Sequence, residues 1–248
     1  YRGDRLVNWD CSLQTAVETV AADGDEVIIA PGTYIEGADT LISVHDGLDI
    51  HGAAGGPKPV IAGSSSSGGQ VQISGLATTI SDVRIELTTP TTLPALYLQG
   101  TSRAVRVEAV STGSGCQLNA NAIIRDSICI GGSDTFEAGL SAYVGGGPNN
   151  PSARNVTAVG TFGVYAGTSN PPPSTVVFDV RNVIAVGTPA GKDVNADNIA
   201  GASTTINLQN SNYNSVDPPN PNETVTPVGS GTNQTAVPLF VDASLGNY

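Results

Sequence analysis

Arg154-Asn155-Val156-Thr157-Ala158-Val159 and Arg181-Asn182-Val183-Ile184-Ala185-Val186 are two copies of one pattern, a polar corner followed by an alternating apolar run. Working outward from them, the same shape recurs at Asp82-Val83-Arg84-Ile85, at Ala104 with Val105-Arg106-Val107, at Asp126 and at Asn210. Read as one corner column, Asp82, Ala104, Asp126, Asn155, Asn182 and Asn210 are separated by 22, 22, 29, 27 and 28 residues. A unit that gains a few residues but keeps its shape is one turn of a solenoid, because such a unit buries its apolar face only against its neighbours.

From Leu41 onward the turns can be laid in register. Each opens with a short alternating strand, with Ile42 and Val44, Val71 and Ile73, Leu96 and Leu98, Cys116 and Leu118, Leu140 and Ala142, Val164 and Ala166, then Val194 and Ala196 read as inward. A second strand ends near Ile50, Ile80, Ile124 and Val180, and a third follows the corner. Three strands per turn without a repeated helix predict an all-β fold, a single-stranded parallel β-helix of about 7–8 turns, with rungs ~4.8 Å apart. Leucine-rich repeats have similar periods, but they need a dense leucine pattern, and here Val, Ile, Ala and Leu are mixed over several runs per turn.

Composition agrees. In 248 residues there are 30 Gly and 16 Pro, with 5% aromatic and 13% charged residues, as short strands and tight corners require. The domain reading is one unit, 1–248. Residues 12–22 form a capping α-helix with Ser12 as N-cap and Leu13, Ala16, Val17 and Val20 on one face; 26–213 form the turns; 214–248 form a proline-rich loop and C-terminal cap. Val237-Pro238-Leu239-Phe240-Val241 supplies apolar bulk for that cap. A net charge of −12 argues against nucleic acid as a partner, and no apolar run is long enough to span a bilayer. The chain begins at Tyr1 and lacks methionine, which reads as a processed chain or an excised domain. Few lysines and three Asn-x-Thr sequons, at Asn155, Asn222 and Asn233, lean towards a secreted or cell-surface setting. Of the three cysteines, Cys116 and Cys129 fall on inward positions of one turn, either bridged or as two buried thiols; Cys11 is the third.

Leu13-Gln14-Thr15-Ala16-Val17, Asp23-Gly24-Asp25-Glu26-Val27-Ile28-Ile29-Ala30-Pro31-Gly32-Thr33-Tyr34, Leu48-Asp49-Ile50-His51-Gly52 and Pro238-Leu239-Phe240-Val241-Asp242 resemble segments of the pectin-lyase-like right-handed β-helix superfamily. The resemblance covers nearly the whole chain and implies right-handed coiling. It implies no single activity, because that superfamily includes lyases, polygalacturonases, tailspikes and adhesins. The Asn-Thr-Asp, Asp-Asp, Gly-His-Gly and Arg-Ile-Lys segments of polygalacturonases do not occur, nor does a recognisable lyase set of calcium carboxylates with an Arg base.

In that superfamily the ligand groove follows the first sheet, so the outward residues of its strands are candidates. They read as Ser43 and His45, Gln72 and Ser74, Tyr97 and Gln99, Gln117 and Asn119, Ser141 and Tyr143, Tyr165 and Gly167, then Asn195 and Asp197. Tyrosine rings cover the apolar faces of sugars and amides match hydroxyls, so Tyr97, Gln99, Gln117, Asn119, Tyr143, Tyr165 and Asn195 form a candidate sugar strip. A solvated sheet with strand-forming tyrosines is the plainer alternative. Arg103, Arg125, Arg154 and Arg181 each precede a corner residue and form a candidate anion-binding column, unless local acids pair them, as Glu86 and Glu108 can pair with Arg84 and Arg106. Asp193, Asn195 and Asp197 share one strand face and could hold calcium, the one cofactor the sequence suggests. His45 and His51, with Asp46 and Asp49, form one local acid–base cluster near the cap. The Asp/Asn corners are expected to point inward and to satisfy one another and the corner backbone.

The expected function is a non-catalytic secreted or cell-surface β-helix that binds, or is displayed at, extracellular polysaccharide. The alternatives are a polysaccharide lyase or glycoside hydrolase of this superfamily, and a structural subunit that self-associates through its ends.

Overall fold

The computed structural model describes residues 12–36, 40–64, 69–133, 137–144, 148–168, 173–198, 202–217, 220–227, 232–236 and 238. Cys11 and most of the expected C-terminal apolar cap (Val237, Leu239, Phe240, Val241) lie outside them.

A short helix α1 (Leu13–Thr15) runs directly into a π-helical turn at Ala16–Val20. The strands follow as β1 (Glu26–Ile29), β2 (Thr33–Ile35), β3 (Leu41–Ser43), β4 (Asp49–Gly52), β5 (Val60–Gly63), β6 (Val71–Ile73), β7 (Thr79–Ser81), β8 (Arg84–Leu87), β9 (Leu96–Leu98) and β10 (Arg103–Val105). Then come β11 (Glu108–Ser111), β12 (Cys116–Leu118), β13 (Ile123–Ile130), β14 (Ala138–Val144), β15 (Pro148–Asn149), β16 (Ser152–Thr168), β17 (Thr175–Arg181), β18 (Ile184–Asn198), β19 (Ser203–Gln209) and β20 (Glu223–Pro227).

Every pairing between them is parallel and joins strands one turn apart, which is a β-helix. The first sheet stacks β3, β6, β9, β12, β14 and the ends of β16 and β18. The second stacks β1, β4, β7, β10, the starts of β13 and β16, then β17, β19 and β20. The third stacks β2, β5, β8, β11 and the segments of β13, β16 and β18 that follow the corner. Alternation along each strand sends Val, Ile, Leu and Ala into one continuous core, where Ile50, Ile80, Ala104 and Ile124 stack in the second sheet and Leu96, Cys116, Leu140 and Val164 in the first.

Ser12 caps α1 by accepting from the Thr15 amide at 3.1 Å, as expected. Leu13 and Val17 are buried, but Val20 is exposed. In the π turn the Ala21 amide bonds to the Ala16 carbonyl, five residues back, and this wider turn rotates Val20 off the core and puts Ala21 there instead.

Two register assignments need correction. In the first turn Leu41 and Ser43 are inward, opposite Val71 and Ile73, while Ile42 aligns with Gln72 and Val44 is exposed. Both parities of Leu41-Ile42-Ser43-Val44 carry an apolar residue, and backbone pairing to β6 chose the one that buries Leu41. In the third turn the corner is Arg106, not Ala104. Ala104 lies in β10 between Ile80 and Ile124 and is fully buried, and the residue with positive φ is Arg106 at 54°.

Cys116 and Cys129 are joined by a disulfide, with Cα atoms 5.5 Å apart. They meet where the first and third sheets of one turn close on each other. Beside them a Cβ on Gly115 would lie 2.5 Å from the Ile130 amide nitrogen, and one on Gly139 would lie 2.3 Å from that of Val159 one turn later. No side chain fits at either position, so glycine sets how tightly each turn closes.

Candidate functional site

The corner between the second and third sheets is a single residue in the left-handed region: Asp82, Arg106, Asp126, Asn155, Asn182 and Asn210 have φ between 51° and 56°. Asn and Asp tolerate this conformation better than other residues with a Cβ, which explains their recurrence. The conformation also turns the side chain out of the core. The corner column is therefore solvent-facing, and the expected inward ladder is an outward one. Arg106 grips Asp82 with Nε and Nη2 at 2.7 and 2.6 Å, Asn155 Nδ2 donates to Asp126 Oδ1 at 2.7 Å, and Asn182 Nδ2 donates to Asn155 Oδ1 at 3.0 Å. The Arg106 guanidinium holds the Asp82 carboxyl below its usual range. The residue after the corner is the inward one, and Ser127 and Ser211 use that position to bond the Arg125 and Gln209 carbonyls.

One residue before the corner, Arg125, Arg154 and Arg181 are paired in register on three successive rungs of the second sheet. Their backbone neighbours Ile124, Ala153 and Val180 point into the core, which sends all three guanidinium groups to the outer face. They are exposed and line a groove of about 230 Å³ with Ile123, Ser152 and Asp179. No ion pair reaches them among the described residues, whereas Arg84 is paired with Glu86 and Glu108 and Arg106 with Asp82. Arg106 thus takes Asp82 rather than the expected Glu108. Arg103 is not in this column. It stands opposite Thr79 and Ile123, on the same outer face but two positions earlier, and Val105 occupies the fourth place. The offset follows from the corner correction: Arg103 precedes Ala104, which is not a corner. Stacking like charges at rung spacing costs on the order of 1 kcal/mol per neighbouring pair in water. A bound anion would reverse that sign.

The first-sheet strip is in register but only partly open. Gln72, Tyr97 and Gln117 are half-buried, and Asn119 Nδ2 donates to the Tyr97 hydroxyl at 3.0 Å. Gln99 and Tyr143 are half-buried in the neighbouring column. Further along, Ser141, Tyr165 and Asn195 are buried. Burial and the nearby Asp197, whose Oδ2 accepts from the Tyr165 hydroxyl at 3.3 Å, push the Tyr165 phenol well up, and the Phe162 ring lies 5.7 Å away. The strip therefore offers tyrosine and amide groups at its earlier end, while Tyr165 and Asn195 belong to packing. Ser43, read as part of this face, is inward.

Of the candidate calcium residues, Asp193 accepts from the amides of Gly187, Asn214 and Ser215 at 2.6–2.9 Å, so it holds the chain reversal on either side of it. Asp197 faces Tyr165, and Asn195 Oδ1 has no partner among the described residues.

The two histidines form separate pairs rather than one cluster. His45 Nδ1 lies 3.4 Å from Asp23 Oδ1 and its Nε2 3.3 Å from the Glu18 carbonyl, while Asp46 accepts from the Leu76 amide at 2.6 Å. His51 is on the outer face of the second sheet. Its Nδ1 lies 2.9 Å from the Gly52 carbonyl and its Nε2 3.1 Å from Glu26 Oε1. The bond to Gly52 raises the His51 pKa against partial burial, with Glu26 and Asp49 adding to the rise. Glu26 was not legible as a partner, because it is brought there by rung pairing from 23 residues upstream of Asp49; the signal for it is the repeat of Glu26-Val27-Ile28-Ile29 as Asp49-Ile50-His51-Gly52.

No helix among the described residues is long and apolar enough to cross a membrane. No protein-family model matches the chain, and no curated protein matches it. Among solved structures the chain is similar to a pectin methylesterase from Yersinia enterocolitica, with 11% identity and a TM-score of 0.53 over 91% of this chain and 94% of that one. An alginate lyase, in a complex with G6, aligns at 12% identity and a TM-score of 0.45, over 88% of this chain and 58% of the lyase chain. The all-parallel rungs and the match to the methylesterase establish the fold of this chain as a right-handed parallel β-helix.

Proposed function

We propose that this chain is a secreted or cell-surface β-helix that binds an acidic polysaccharide along the outer face of its second sheet and does not cleave it. The observation that carries this reading is the exposed column of Arg125, Arg154 and Arg181, in register and without an ion pair among the described residues of a chain with net charge −12. The one carboxylate that lines the groove with them, Asp179, accepts from Asn207 Nδ2 at 2.8 Å and forms no ion pair with the column among the described residues. An anionic polymer lying along the helix axis meets one guanidinium per rung, and each offers a fork suited to a carboxylate or sulfate. Arg103 extends the same face by one rung, and Tyr97, Gln99, Gln117 and Asn119 on the first sheet add groups that suit uncharged sugar surfaces. The pectin methylesterase that shares the fold is named for a polysaccharide, and the Cys116–Cys129 bridge suits an oxidising compartment.

The test is affinity electrophoresis of the full chain through gels containing polygalacturonate, alginate or neutral dextran, at low and high salt. Retardation is expected in the acidic gels only, diminishing with salt and lost in the Arg125→Gln, Arg154→Gln, Arg181→Gln triple variant. Equal retardation by dextran, no retardation at all, or an unchanged triple variant would each refute the reading.

A further inference from the structure

Two rungs at the N-terminal end of the second sheet carry a different set of groups. Glu26 of β1 stands opposite Asp49 of β4, and His51 emerges on the same outer side two residues beyond Asp49. One ligand atom from each of the three residues can be chosen so that all lie within 4.8 Å of one another. The inward neighbours Val27 and Ile50 are buried, so the backbone that carries the three side chains is fixed by the core.

The hydrogen bonds of His51 set its tautomer. A carbonyl oxygen only accepts, so the bond to Gly52 at 2.9 Å places a proton on Nδ1. The neutral ring then turns its Nε2 lone pair towards Glu26 Oε1, 3.1 Å away, and two acceptors face each other. Only a cation on Nε2, a proton or a metal ion, resolves that contact.

We propose that Glu26, Asp49 and His51 form a binding site for a divalent transition-metal ion of the zinc class, ligated by His51 Nε2 and one oxygen from each carboxylate. One imidazole nitrogen with two carboxylate oxygens suits zinc and its neighbours, whereas calcium and magnesium prefer all-oxygen sets. The two carboxylates balance the charge of the ion. The Gly52 carbonyl fixes the tautomer that frees Nε2, the role that a carbonyl or carboxylate plays behind most metal-bound histidines. Bonds of about 2.0 Å require the three ligand atoms to close in on one another. Asp49 is exposed and Glu26 partly so, which leaves both carboxylates room to close on an ion beside His51. Three protein ligands leave a coordination position for water or for an oxygen of a bound molecule. The site lies in the same outward column as Arg125 but three rungs away, through Ser81 and Val105, and it does not depend on the arginine reading.

Zinc titration of the full chain by calorimetry at neutral pH, together with the nitrogen chemical shifts of the histidine rings, tests the site. One zinc per chain is expected, with the His51 Nε2 resonance moving to the metal-bound range while Nδ1 keeps its proton. Binding should disappear in His51→Ala and weaken at least about tenfold in Glu26→Gln and in Asp49→Asn. The nitrogen shifts are read on the unmodified chain, so the test survives a variant that does not fold. No zinc bound at millimolar concentration, an unchanged affinity in His51→Ala, or a His51 ring that keeps both protons in excess zinc would overturn the assignment.

Discussion

Replacing Asn155 separates the two physical demands of the corner. The residue has φ 55°, and its amide makes two inter-rung hydrogen bonds, Nδ2 to Asp126 at 2.7 Å and Oδ1 from Asn182 at 3.0 Å. Asn155→Gly keeps the backbone unstrained and removes both bonds. For exposed groups these bonds are worth the lower end of ~0.5–1.5 kcal/mol each, so a loss of about 1 kcal/mol is expected. Asn155→Ala removes the same bonds and also forces an ordinary Cβ residue into the left-handed region, which adds about 1 kcal/mol or more. The expected order of stability is Asn, then Gly, then Ala, measured by urea unfolding followed by circular dichroism. A cycle with Asn182→Gly should show the two sites coupled, because they share a hydrogen bond. Ala equal to or better than Gly would show that positive φ does not select the corner residue, and strict additivity in the cycle would show that the ladder holds nothing between rungs.

The Cys116–Cys129 bridge closes a loop with a sequence separation of 13, which the chain-entropy estimate puts at about 3 kcal/mol, so the Cys116→Ala, Cys129→Ala double variant should lose at least that much and show a markedly lower midpoint in the same urea assay. The Asp82–Arg106 pair sets a pH dependence. Because the folded pKa of Asp82 lies below its unfolded value, the pair stabilises fully above the unfolded carboxyl pKa and loses that contribution as pH falls through the folded one. Asp82 is about one-third exposed, so the effect is under ~1 kcal/mol, and Arg106→Gln should flatten this acid limb of the stability profile, which begins as pH falls through the ordinary carboxyl range.

The parts of the fold that follow from local pattern were legible in the sequence. Period-2 alternation identified Val71 and Ile73, Leu96 and Leu98, Cys116 and Leu118, and Val194 and Ala196 as inward, and all are buried. Where local pattern was ambiguous it misled. Leu41-Ile42-Ser43-Val44 reads apolar on both faces, and Ser43 is buried with its hydroxyl unpartnered among the described residues because the register to β6 leaves no other choice. Arg106 was hidden because the corner was placed by even spacing and by the apolar run after it, while the corner is a backbone conformation that any side chain can occupy at some cost.

For the candidate sites the division is similar. Tyr165 and Asn195 alternate outward as read, yet both are buried, because alternation says which way a side chain leaves the strand and nothing about what packs over it. The arginine column was read as four, Arg103, Arg125, Arg154 and Arg181, of which Arg103 falls out of register, and whether each had an acid beside it depended on neighbouring rungs. Glu26 reached His51 only through strand pairing between β1 and β4.

By itself, then, the sequence determined that the chain coils and, wherever only one face of a strand is apolar, which residues line its interior, since these depend on contacts within a few residues and on a period repeated many times. Which side chains share a face from one rung to the next was decided only by the tertiary structure. In a β-helix neighbours in space lie 20 to 30 residues apart, and a shift of one or two residues at a single corner reassigns every side chain beyond it.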